Sequence, residues 1–418
     1  MVTNAQINQQ LDLLFRREAG RIVAILTKAF GASQIDLAEI VVQEALLKAT
    51  QVWPLTGIPE NPAAWIMQVA KNKALDTIRR ERHLVVNLNV IESMPEFNED
   101  FQRLQAFELE IQDDQLRLMF ICCHPILSYE MQLALTLKTV CGFGVSEISR
   151  AFFAKNETIA QRLVRAKQKI REAKLRFELP ETQELKNRVD AVLDVIYFLF
   201  NEGYSSQKDD KHIREDVCLE ACRLVRLLTT HDVGSLPKAY ALAAFMLLQT
   251  SRLNARVDLN GEVLLLQDQD RSKWDHNLIR EGLCYLEKAA TGPELTQFHL
   301  MAGIAACHAT AGSFHETDWS RILDYYDDLS QIDNSPVIAL NRSVVVSFTD
   351  GPQNALMEIQ KLRDIPAMKK CYLLPATSAD FYRRLGDSKR AMKCYQEALD
   401  LVGTGPERRF LKRRIAEL

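Results

Sequence analysis

Between Lys155 and Arg176 the chain places eight Lys/Arg against two Glu, in a protein whose formal net charge is −3. Cations at that density suit the neutralisation of a phosphate backbone, where each ion pair releases a condensed counterion. A solvated helix face has the same composition, because most runs of charge simply meet water. The flanking residues discriminate. Residues 142–170, GFGVSEISRAFFAKNETIAQRLVRAKQKI, read as two short helices around the tight connection FFAKNET. Ser146 is placed to cap the first helix, with Ile148, Ala151 and Phe152 on its buried face. Asn156 is placed to cap the second, whose inner stripe is Ile159, Leu163 and Ala166. This spacing is that of a helix-turn-helix. The second helix of such a unit meets base edges in the major groove with its N-terminal residues. Thr158, Ala160 and Gln161 would then face bases, while Arg162, Arg165, Lys167 and Lys169 would meet phosphates.

Other chemistries find little support. No paired carboxylates, activated nucleophile or Gly-rich phosphate loop accompanies the basic helix, so an enzyme is not expected. The nine cysteines stand singly or at helical spacing, as in VCLEACRL, which fits reduced thiols in a cytoplasmic protein. FICCHP groups Cys122, Cys123 and His124, but no second ligand pair follows at zinc spacing. DLNG suggests a calcium loop until its ends are checked: Arg256 holds the first ligand position and Gln267 the last. No metal or cofactor is expected. The polar start MVTNAQINQQLD is unlike a signal peptide, and the most apolar run, AVLDVIYFLFNEGY, is short and interrupted by Asp194. No membrane association follows from it.

The elements that must position these side chains are helical. IDLAEIVVQEALLKATQVW repeats apolar residues close to i, i+3, i+4 (Leu37, Ile40, Val41, Ala45, Leu46, Leu47). NPAAWIMQVAKNKALDTIRRER opens with Asn61 as N-cap and Pro62 at the first helical position. Alternating β-branched runs are few, which predicts an all-α protein. Residues 85–112 turn polar and acidic and read as a linker, and Pro180 closes the basic helix. Past residue 290 the sequence repeats at an offset of 36 residues: Trp319, Ala355 and Ala391; Cys307, Ser343 and Ala379; Leu323, Ile359 and Tyr395. The last copy, SADFYRRLGDSKRAMKCYQEAL, fits the tetratricopeptide (TPR) pattern, with small residues where paired helices approach and aromatics in the gaps. ERRFLKRRIAEL reads as a closing helix with Phe410, Leu411, Ile415 and Leu418 inward.

The first half resembles the extracytoplasmic-function (ECF) sigma factors. Ala38, Glu39, Val42, Gln43 and Glu44 match the A-E-D-x-V-Q-E run of their region two, with Ile40 where the pattern has an acidic residue. Ala64, Trp65, Ala70, Asn72, Asp76, Arg79 and Arg80 match its second part, A-W-L-x-x-x-A-R-N-x-x-x-D-x-x-R-R. Residues 113–178 resemble region four, AQRLVRAKQKIR matching the end of its recognition helix. LRLMFICCHPIL, FLFNEGY, LLLQDQDRSKWD, SPVIALNRSV and ERRFLKRRIAEL look like the subgroup with a C-terminal TPR-like extension. The implied organisation is region two over 1–84, a linker over 85–112, and region four over 113–179. A helical extension over 180–290 and TPR-like hairpins over 291–418 would follow.

The resemblance implies a bacterial transcription initiation factor that binds core RNA polymerase and promoter DNA, the catalysis being the polymerase's. Glu39, Gln43 and Glu44 would dock on the polymerase clamp. Lys71, Asn72, Lys73, Asp76, Arg79 and Arg80, with Arg82 beyond them, would hold the minus-ten element: cations on the backbone, Asn72 and Asp76 on an extruded base. Trp65 is either a stacking face or core. The minus-thirty-five set is Thr158, Gln161, Arg162, Arg165, Lys167 and Lys169. In residues 255–275 (ARVDLNGEVLLLQDQDRSKWD), Asp268, Asp270, Arg271, Trp274 and Asp275 form either a capped loop anchored by Trp274 or a contact surface. As a contact surface, with Asp258 and Glu262, the stretch would fold back on the basic sigma domains or meet polymerase. A free-standing DNA-binding regulator, or a scaffold whose basic helix is only solvated, are the rival readings.

Overall fold

The computed structural model describes residues 18–80, 88–92, 101–152, 154–179, 182–204, 215–258, 264–402 and 405–418. The fold is all-α, with no β-strand among the described residues. None of their helices is long and apolar enough to cross a membrane. The chain divides into two compact units, residues 1–199 with 230–234 and residues 200–229 with 235–418.

The first unit opens with helix α1 (residues 18–30), whose Ile22, Val23, Ala24, Ile25 and Leu26 are all buried. Helix α2 (Ile35–Thr56) follows, burying Ala38, Val41, Val42, Ala45, Ala49 and Trp53. Helix α3 (Pro62–Arg80) begins as its sequence predicts: Asn61 Oδ1 accepts from the Ala64 N–H at 3.1 Å, and Pro62 takes the first position. Helices α4 (Leu88–Glu92) and α5 (Phe101–Cys122) occupy much of the stretch expected to be linker. The end of α5 is apolar on every side, and Leu116, Leu118, Met119, Phe120, Ile121 and Cys122 are all buried. Helix α6 (Tyr129–Leu135) widens into an i→i+5 turn over Thr136–Val140. Such turns displace the residues they carry from regular helical positions.

Helices α7 (Val145–Ala151) and α8 (Asn156–Glu172) form the expected two-helix unit. Its ends are made differently from the expectation. Ser146 lies inside α7, and the Glu147 carboxylate accepts from the Gly144 N–H at 2.7 Å. Asn156 does not cap α8; its Oδ1 accepts from Ser149 Oγ, tying the two helices together. The compact unit also runs past the boundary expected at Pro180, into helix α9 (Thr182–Tyr204). Arg188 of α9 donates to the Phe120 carbonyl at 2.6 Å, and Phe198 stacks on Phe152 with centroids 5.5 Å apart. Val189, Val192, Leu193 and Ile196 are buried, so a cut after Pro180 would remove part of this unit's own core.

In the second unit, helices α10 (Glu215–Thr230) and α11 (Pro237–Thr250) precede α12 (His276–Ala289). Helix α11 is apolar all round and buried along most of its length. Gly282 lets α12 lie close to it, since a Cβ there would meet Leu248 Cγ at 2.8 Å. The repeat at 36 residues resolves into three helical hairpins. These are α13 (Gln297–Thr310) with α14 (Trp319–Ile332), α15 (Pro336–Thr349) with α16 (Pro352–Leu362), and α17 (Leu373–Arg384) with α18 (Ser388–Leu401). Asp318, Ser335 and Asp387 cap three of these helices through backbone N–H groups. The small residues Ser343, Ala355, Ala379 and Ala391 are fully buried where helices meet. Helix α19 (Gly405–Ala416) closes the array: Leu411 joins the core of Tyr395 and Leu399, with Phe410, Ile415 and Leu418 packed against it.

Ile359 sits in the cluster of Leu340, Val346, Ala355 and Phe381, joining the second and third hairpins. Replacing it with alanine should cost about 2–5 kcal/mol, the range for large-to-small changes in a packed core. Urea unfolding of the full chain measures this; a loss below ~1 kcal/mol would mean that the hairpins do not share this core.

Candidate functional site

The candidate site builds on α2, α3 and α8. The outer face of α2 carries Ile40, Gln43, Glu44 and Leu47 at i, i+3, i+4 and i+7, all exposed, with Ile40 at 52% and Leu47 at 59%. Two large aliphatic side chains in water beside an amide and a carboxylate make an exposed face of mixed character. Glu39 does not join it. It points inward at 7% exposure, and both carboxylate oxygens are occupied: Oε1 accepts from Thr139 Oγ1 at 2.7 Å, Oε2 from Lys167 Nζ at 2.7 Å. The three residues read as one docking set are therefore split.

On α3, Lys71 is buried and its Nζ donates to the Glu92 carbonyl at 3.4 Å. Lys73 pairs with Glu44 across to α2 at 3.0 Å. Asn72 is exposed and accepts from Gln68 Nε2. Asp76, Arg79 and Arg80 are exposed at the C-terminal end of the helix, with Arg79 Nη1 3.8 Å from Asp76. The outward residues of the set are thus Asn72, Asp76, Arg79 and Arg80, and Arg82 lies outside the described residues. Trp65 sets its ring edge-on against Trp53, centroids 5.4 Å apart, which uses it in packing.

Helix α8 buries Ile159, Leu163, Ala166 and Ile170. That stripe turns Gln161, Val164, Arg165 and Gln168 outward, at i, i+3, i+4 and i+7, and all four are exposed. Val164, at 66% exposure, escaped the sequence reading. Its signal was present: three residues after Gln161, it must share that side chain's face. Thr158 and Arg162 are half-buried on one flank, and Lys169 donates from there to the Ile126 carbonyl at 3.1 Å. Lys167 lies on the other flank, 2.8 Å from Asp36 and 2.7 Å from Glu39, while Arg171 reaches Asp36 at 3.0 Å. Burial alone would push the Lys167 ammonium down, but Glu39 and Asp36 outweigh it and hold its pKa above the ordinary lysine value. This lysine is a structural cation here, not a free phosphate ligand.

The extension residues mostly hold their own loop. Asp270 accepts from the Ser272 N–H and hydroxyl, which keeps its carboxyl below the usual range. Asp275 caps α12 through Asn277 and Leu278. Trp274 is buried, with the Arg271 guanidinium 4.5 Å from its ring centre. Arg271 also donates to the His308 and Ala311 carbonyls at 2.7 and 2.8 Å. Asp268 is exposed, and Glu262 falls outside the described residues. No group of three or more His, Cys, Asp or Glu side chains among the described residues could hold a metal ion.

His308, beside this loop, has its pKa pushed down to about 3 by burial, with Arg252 and Arg271 adding to the effect. The unfolded chain takes up that proton near pH 6.5 and the folded chain does not. The contribution of this group is therefore intact above about pH 6.5 and is lost as the pH falls below it. Between pH 6.5 and 5 the loss is about 2 kcal/mol at most. Urea unfolding at pH 7 and pH 5 should show that His308→Gln flattens the pH dependence by that amount. An unchanged slope would contradict a neutral, buried imidazole.

Residues 14–84 match the sequence profile of sigma-70 region 2. Residues 188–290 match that of a family of unknown function, DUF6596. Over 410 residues the chain is 35% identical to an uncharacterized protein of Rhizobium meliloti, and the alignment covers 95% of both proteins. The chain belongs to one family with that protein, and its match to sigma-70 region 2 marks residues 14–84 as a sigma-factor domain, which indicates a role in RNA polymerase binding and promoter recognition.

Proposed function

We propose that the chain is a dissociable initiation factor of the ECF type, with a TPR-like extension that modulates its activity. Region two would dock on core polymerase through Gln43, Glu44 and the aliphatic pair Ile40 and Leu47. The outward end of α3, with Asn72, Asp76, Arg79 and Arg80, would hold the minus-ten element as the strands separate. Helix α8 would read the minus-thirty-five element. The observation that carries this reading is the outward face of α8: Gln161, Val164 and Arg165 stand opposite its buried stripe, in a two-helix unit within the same compact unit as region 2. Gln161 would bond a base edge, Val164 would touch a thymine methyl, and Arg162 and Arg165 would meet phosphates. A free-standing regulator needs no region 2, which disfavours that rival.

Purified core polymerase and a promoter from the protein's own genome test the proposal. Adding the protein should confer initiation at one defined start; no stimulation, with no association in gel filtration, would leave the regulator reading in its place.

Within the complex, the roles on α8 should separate. Arg165→Gln should weaken binding to all promoters alike and lower the salt slope by about one. Gln161→Ala should change preference at one base position, by ~1–3 kcal/mol for a good contact. A uniform loss from Gln161→Ala would rotate the reading face away from the one argued above.

A further inference from the structure

The hairpins of the second unit line a cavity of about 380 Å³, the size of a small-molecule site. Its wall is mostly apolar, with Tyr326, Val344, Leu373, Phe381 and Phe410 among the lining residues. A row of rings completes it. His308 meets Trp319 edge-on at 5.4 Å between centroids, Trp319 stacks on Phe348 at 4.2 Å, and the Arg384 guanidinium lies 4.4 Å from the centre of Phe348. Arg384 is the exception in this wall. It is half-buried on α17, and the hydroxyl and carbonyl of Ser347 on α15 accept from it at 2.6 and 2.8 Å. Two of its five N–H donors are thereby used, neither on a carboxylate. The nearby acid, Asp380, is taken by Arg383 at 2.7 Å and Arg414 at 3.0 Å. Burial pulls the Arg384 pKa below the ordinary arginine value, against the opposing pull of Asp380. A cation held partly out of water without a counterion is costly, and an arriving anion would relieve that cost.

Arg384 also lines a wider cleft that shares Gln267, Phe314, Trp319 and Phe348 with the cavity, so its cation stands where the two meet. The acids of the cleft do not neutralise it: Asp270 is bonded to Ser272, and Asp268 is exposed. We propose that the cavity binds a small carboxylic acid with an apolar body, the carboxylate paired with Arg384 at the mouth and the body enclosed among the rings. One arginine carries one charge, which matches a carboxylate, whereas a phosphate brings up to two. At the other end of the row His308 Nδ1 is buried without a hydrogen-bond partner, and it suits a polar substituent on that body. The inference goes beyond the sigma-factor reading and does not depend on it.

Isothermal titration calorimetry of the full chain tests the site, with decanoate and 1-naphthoate as acyl and aryl probes. At least one of the two should bind as a single molecule per chain, and the tighter of them names the body. 1-Decanol and decylamine, which bring no anion to Arg384, should bind about tenfold more weakly than decanoate. Arg384→Gln should weaken the acids about tenfold and leave 1-decanol unchanged. Thr377→Trp, which fills the cavity from its wall, should abolish binding of every probe. Circular dichroism checks that the variants keep the helical content of the wild type. If Arg384→Gln unfolds, the wild-type comparison of decanoate with 1-decanol decides alone. Binding by neither acid, equal binding of decanoate and 1-decanol, or an unchanged affinity in folded Arg384→Gln overturns the site. Each of these results leaves the sigma-factor reading standing, since initiation with core polymerase tests that separately.

Discussion

One carboxylate constrains the first unit. Glu39 is buried at 7% exposure, and an ionised carboxylate taken out of water costs several kcal/mol unless its oxygens are matched. Here they are matched by an ammonium and a hydroxyl, from α8 and from the π turn before α7. Removing one partner of such a buried pair typically costs ~3–5 kcal/mol, although Asp36 would retain part of the Lys167 interaction. The placement of α8 therefore follows from a charge on α2. Lys167 stays protonated well above neutral pH, so pH changes near neutrality leave the contact alone.

The second unit obeys a different rule. Its hairpins are held by shape, with small residues at the crossings and aliphatic or aromatic side chains between them. Each hairpin packs against its neighbours along the chain, the first also against α11 and the last against α19, as expected of a repeat array. Charge has a local role, as in the Arg271 guanidinium that binds two carbonyls and lies against Trp274. Among the described residues of the 255–275 stretch, Asp270 and Asp275 are spent on caps, while Asp268 is exposed.

Much of this was legible in the sequence because helical period, caps and a fixed repeat offset are local signals. The all-α class follows from them, and so do the Asn61 cap, the hairpin positions of Ala355, Ala379 and Ala391, and the inward face of α19. What escaped is non-local. That Glu39 faces α8 while Gln43 and Glu44 face water depends on which helix packs beside α2, and no spacing within α2 encodes the neighbour. The inward turn of Lys71 depends on a carbonyl twenty-one residues away. The continuation of the first unit through α9 depends on Arg188 and Phe198 finding partners on α5 and α7–α8, despite a proline that reads locally as a boundary. Val164 was a miss with a local signal, and so were two caps: Glu147 and not Ser146 accepts at the start of α7, and Asn156 bonds Ser149 instead of capping α8.

The most direct test of the account is a zero-length carbodiimide cross-link, which forms an amide only between an amine and a carboxylate already in contact. In the free protein, Lys167 should couple to Glu39 and Asp36, identified by mass spectrometry of the digested chain. The Lys167→Gln variant should lose that product while keeping its helical content. Absence of the product in the folded wild type would contradict the account, because α8 would then not lie against Glu39 of α2.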